Sequence, residues 1–76
     1  MPDTIISATI PGHGLYRCTA RAFQGTIEKY LPTSVAKLRI ECEERANANM
    51  SDITDIGSFL VMLAEWDAED YLGASA

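Results

Sequence analysis

His13, Cys18 and Cys42 are the side chains in this sequence best suited to nucleophilic or metal chemistry, and their spacing favours neither. An imidazole five residues from a thiol could serve as its general base. No acid stands close in sequence to orient the ring, however, and a turn between two strands offers little cavity from which to exclude water. His13, between Gly12 and Gly14, therefore reads as a solvated turn residue. A zinc site takes three or four ligands at characteristic spacing, and no two of these three residues form a C-x-x-C or H-x-x-x-H pair. Two cysteines are too few for a disulfide framework, and both read as buried, reduced thiols. The five glycines form neither a G-x-G-x-x-G nor a phosphate loop. The reading is of a non-enzymatic protein, with no catalytic residue, no metal ligand and no cofactor.

The remaining cluster is EWDAEDYLG, residues 65–73, which sets Glu65, Asp67, Glu69 and Asp70 beside Trp66 and Tyr71. Asp67, Glu69 and Asp70 lack the D-x-D-x-D-G loop and closing Glu of a calcium site. Their environment in the chain is one-sided. Up to Arg45 there are six bases and five acids; beyond it come six acids and no base, within a net charge of −5. Such a surface disfavours nucleic acid and anionic membranes and suits a basic protein partner. Acids beside exposed aromatics fit an interface with steering charge and an aromatic anchor, so Glu65, Trp66, Asp67, Glu69, Asp70 and Tyr71 are the expected partner-binding residues. The bland alternative is a solubility patch at a chain terminus.

The elements that must hold this cluster follow from periodicity. Residues 4–10 and 15–23 alternate apolar and polar positions across Pro11-Gly-His-Gly14, which predicts a β-hairpin. Residues 18–31 also fit a helix weakly, but Gly25 in its middle would cost about 1 kcal/mol relative to Ala. Ser34 can cap a helix over residues 34–48, where Val35, Leu38, Cys42 and Ala46 make one stripe and Glu41 precedes Arg45 by four. The same stretch alternates from Lys37 to Glu43, so a strand over residues 35–43 competes with the helix. Ile53, Ile56, Phe59, Leu60, Leu63 and Trp66 recur at spacings of three and four, predicting a core helix over residues 52–66 with Ser51 or Asp52 as its cap. On the helix wheel Asp67 and Asp70 fall in the apolar sector. Either the helix stops at Trp66, or a new turn starts with Asp67 as its cap and Asp70 at N3. If the helix runs on to Leu72, these acids lie at its negative end and need compensation.

The expected fold is α+β: one small domain over residues 1–76, its N-terminal hairpin packed against two C-terminal helices. A three-stranded antiparallel sheet with one long C-terminal helix is the alternative. A chain of this length buries only about 60–65% of its unfolded surface, so a second copy or a bound partner would add useful area. The N-terminus lacks a basic segment followed by an apolar one, and the longest apolar run, FLVMLA, is far below the ~20 residues of a membrane span. A cytoplasmic protein without membrane attachment is expected.

Residues 26–41 could form a helix-turn-helix, with Lys37, Arg39 and Arg45 facing phosphates, but Glu41, Glu43 and Glu44 share that helix and would repel DNA. A DNA-binding regulator and a homo-oligomeric assembly subunit are thus secondary readings. In its general character, short, acidic and without catalytic apparatus, the chain is similar to small phage or mobile-element inhibitors, anti-CRISPR proteins among them. That resemblance implies occlusion of a basic, nucleic-acid-handling surface of a partner.

Overall fold

The computed structural model describes residues 4–68. Strand β1 (Ile5–Ile10) pairs antiparallel with β2 (Gly14–Thr19), followed by α1 (Ala20–Tyr30), α2 (Val35–Ala46) and α3 (Ile56–Asp67). The fold is α+β. The hairpin turn needs its glycines: Gly12 and Gly14 take φ values of +83° and +102°, where a Cβ would be strained. Register matches Ile6 with Cys18 and Ala8 with Tyr16, turning these four toward the helices.

Helix α1 is the main departure from the sequence reading, which extends the second strand to residue 23. The strand stops at Thr19 because Thr19 becomes a helix cap, its Oγ1 accepting from the Ala22 amide at 3.0 Å. Small residues at 20 and 22 fit either period, so alternation alone misassigns them. Gly25 sits in the exposed middle of α1 and does not break it; Phe23, Ile27 and Tyr30 pack on the core and outweigh its propensity cost.

Helix α2 forms as expected rather than a strand. Ser34 accepts from the Lys37 amide at 3.3 Å, Leu38 and Cys42 are buried, and Glu41 pairs with Arg45 at 3.0 Å. It ends at Asn47, which adopts the left-handed conformation (φ 54°).

Helix α3 begins four residues later than the sequence suggests. Asp55, not Ser51 or Asp52, is its cap, accepting from the Ser58 amide at 2.9 Å. Residues 49–53 instead form a turn in which Asn49 Oδ1 accepts from both the amide and the hydroxyl of Ser51. Phe59 to Ala64 are buried without interruption. A helix apolar all round must be covered on every side. Helices α1 and α2 and both strands pack against it, splitting the core between Leu38, Cys42, Met50 and Phe59 on one side and Cys18 with Val61 and Ala64 on another. Among the described residues, no helix is long and apolar enough to cross a membrane.

Candidate functional site: the acidic end of α3

Helix α3 ends at Asp67, which puts a carboxylate at the negative end of a helix dipole. The fold supplies the missing compensation from two other helices. Arg45 Nη1 donates to Asp67 Oδ1 at 2.7 Å, and Lys29 Nζ and the Tyr30 hydroxyl donate to Oδ2 at 3.3 and 3.2 Å. Arg45 also donates through Nε to Glu41 and through Nη2 to the Tyr30 oxygen. The Lys29 ammonium lies 5.1 Å from the Tyr30 ring centroid. Lys29 and Arg45 each sit in the last turn of their own helix, where a cation also opposes that helix's dipole. Three helix ends thus meet in one charge cluster.

The electrostatics follow from that geometry. Burial by itself would raise the Asp67 carboxyl, but the bonds and charges of Arg45 and Lys29 outweigh it and hold Asp67 below the usual carboxylate range. Its hydrogen bond to Asp67 in turn raises the Lys29 ammonium and the Arg45 guanidinium.

Glu65 and Trp66 are also tied inward. Glu65 Oε1 accepts from the backbone amide of Arg17 at 2.9 Å, satisfying one outward amide at the centre of β2. Trp66 is half-buried and meets Tyr16 edge-on, ring centroids 5.8 Å apart at 89°. The Trp66 ring, expected both to close the apolar face and to serve as an aromatic anchor, is packed on one side and partly exposed on the other. Of the six residues expected to meet a partner, Glu65, Trp66 and Asp67 are therefore built into the fold. Glu69, Asp70 and Tyr71 lie outside the described residues, as does the proposed capping turn through Asp70.

His13 departs from its sequence reading as well. Its Nε2 is 3.0 Å from Asp52 Oδ1, its side chain is only 11% exposed, and the acid that orients it comes from 39 residues away. That contact lowers the Asp52 carboxyl, through the hydrogen bond first. The imidazole thus joins the hairpin turn to the α2–α3 loop. Its suggested nucleophile, Cys18, is fully buried, and desolvation followed by the charge of Glu65 raises its thiol. Cys42 is buried too, its thiol pushed up by desolvation to about 12, and its Sγ donates to the Phe59 carbonyl at 3.8 Å. Reactive thiols show the opposite pattern, partial exposure and a lowered pKa. Among the described residues, no group of three or more His, Cys, Asp or Glu side chains could hold a metal ion.

Sequence reasoning missed the partners of Asp67. The available signal was the placement of Lys29 and Arg45 in the last turns of consecutive helices, where two cations converge if a third helix ends between them.

Among the described residues, the acid whose side chain has neither a hydrogen bond nor an ion pair to another described residue is on α2. Glu44 is exposed and makes no ion pair with a described residue. Ile40, one turn earlier, is 49% exposed on the helix face opposite Leu38 and Cys42. Both line an open groove of about 510 Å³ with Glu43, Asn47, Ala48 and Asn49, at the negative end of α2. Lys37, the base on that face, stands seven residues from Glu44, about 10 Å along the helix. Comparison of the chain with protein-family models, with curated proteins and with solved structures gave no match.

Proposed function

We propose that this chain is a small acidic protein-binding module, acting without catalysis, that covers a basic surface of a partner protein of the kind that otherwise holds nucleic acid. The observation that carries the reading is Ile40, half-exposed beside a Glu44 that pairs with none of the described residues, in a groove whose described lining holds no base. An apolar side chain next to uncompensated negative charge suits a partner's Arg or Lys, whose stem packs on Ile40 while its charge meets Glu44. The internal use of Asp67 supports moving the contact from the end of α3 to α2. Asp67 already faces two cations and has little charge left to offer. Glu69 and Asp70 remain in the proposal as steering charges.

An arginine-rich peptide titrated into the protein tests this. Binding should weaken as salt rises and perturb the Ile40 and Glu44 resonances, and Ile40→Asp with Glu44→Lys should abolish it. Neutralising Glu69 and Asp70 while keeping Asp67 should slow association without lowering stability. Salt-sensitive binding to duplex DNA, with no binding of the peptide, would support the DNA-binding regulator instead.

A further inference from the structure

The two edges of the hairpin are treated differently, and the difference points to a second copy of this chain. The Ala20 amide donates to the Thr4 carbonyl at 2.7 Å, which fixes the alternation of the ladder. The N–H and C=O groups of Ile6, Ala8 and Ile10 face β2, and those of Ile5, Ser7 and Thr9 face away from it. The same alternation turns the Arg17 amide outward on β2, where Glu65 covers it. No described residue plays that part for β1. Ile5, Ser7 and Thr9 are exposed, and their outward backbone groups bond to none of the described residues. At the Thr9 end, residues 52–55 share with Thr9 the lining of a cavity of about 330 Å³.

Edge strands are ordinarily blunted by Lys, Pro, a bulge or an inward charge. Residues 4–10 read Thr-Ile-Ile-Ser-Ala-Thr-Ile and contain none of these. A two-stranded sheet is marginal in isolation and gains from further strands.

We infer that β1 pairs antiparallel with β1 of a second copy, centred on Ser7, to make a four-stranded sheet. The register is self-complementary. Ser7 faces its own counterpart and Ile5 faces Thr9 of the other copy, so these three residues exchange about six backbone hydrogen bonds. On the inner face, half-buried Ile6 would meet Ala8 of the other copy, and on both faces no acid meets an acid. The exposed base nearest this edge, Arg17, would lie three strand spacings from its counterpart, about 14 Å and beyond the ~8 Å screening length. The paired residues, Ile5 to Thr9, are uncharged, so the joined ladder itself contains no acid despite the net charge of −5.

The test is sedimentation equilibrium from micromolar to millimolar concentration, with amide hydrogen exchange on the same samples. Wild type should form a dimer in which the Ile5, Ser7 and Thr9 amides gain protection as concentration rises. Ser7→Pro removes an amide that the hairpin does not use, and by symmetry two bonds of the dimer, so the dissociation constant should rise about thirtyfold. Should that variant fail to fold, Ser7→Lys places like charges face to face at the centre of the joined sheet and should leave a folded monomer. Three results would overturn the inference. They are a wild-type monomer at every concentration, a dimer untouched by Ser7→Lys, and protection of the three amides that does not depend on concentration, which would mean the edge is covered within one chain.

Discussion

Arg45, in the last turn of α2, and Asp67, the last residue of α3, meet at 2.7 Å, the shortest of the side-chain contacts that join α1, α2 and α3 at one end of the molecule. Their side chains are 32% and 27% exposed, so the pair is neither fully solvated nor desolvated. The geometry is that of a charge-assisted bond whose partners are held by a second cation, a phenol and Glu41.

Asp67→Asn should therefore destabilise the fold, by about 1–2 kcal/mol once partial solvent screening is allowed for. Its folded carboxyl lies below the ordinary value, so its contribution is fully present above the unfolded pKa of about 4 and is lost as pH falls through the folded value. Urea midpoints measured from pH 7 down to pH 2 should fall for wild type below about pH 4, and less steeply for the Asn variant. Equal midpoints at neutral pH would show that the cluster adds no stability.

His13→Ala should lower the melting temperature by a few degrees. The substitution removes a nearly buried ring and the link to Asp52 that holds the hairpin turn against the α2–α3 loop. Hydrogen exchange should quicken in residues 10–14 and 50–55 before the rest of the molecule. A melting curve superimposable on wild type would return His13 to the status of a solvated turn residue.

Gly25→Ala should stabilise the protein by about 0.5–1 kcal/mol. The position is helical and exposed, and a Cβ there would meet nothing within 4 Å. For a domain of this size the gain corresponds to a rise of about 2–8 °C in melting temperature, readable by calorimetry. A drop would mean that this face of α1 is occupied in solution.

Leu63→Ala should cost about 2–5 kcal/mol, because Leu63 is 0% exposed on the central helix and its removal leaves a cavity that neighbours only partly fill. For so small a domain that approaches the whole stability. An unchanged urea midpoint would show that α3 is not the centre of the core.

The sequence by itself determined the elements whose signals are local. Gly12 and Gly14 set the hairpin turn, Ser34 starts α2, the Glu41–Arg45 spacing favours helix over strand, and the density of apolar residues from 59 to 64 requires a covered helix. It did not determine α1, because residues 16–22 alternate equally well as a strand. Only packing of Phe23, Ile27 and Tyr30 against the core decides that contest. Nor did it determine the role of the acids. Read along the chain, Asp67 has no base near it. Read in space, it has two, from 22 and 38 residues away. The same holds for His13 and Asp52, and Glu65 likewise finds a distant donor, the backbone amide of Arg17. Charge compensation depends on distance in space, and loops bring together residues whose separation along the chain carries no trace of it. Tertiary structure alone therefore decided which acids stabilise the fold and which, like Glu44, remain unpaired among the described residues.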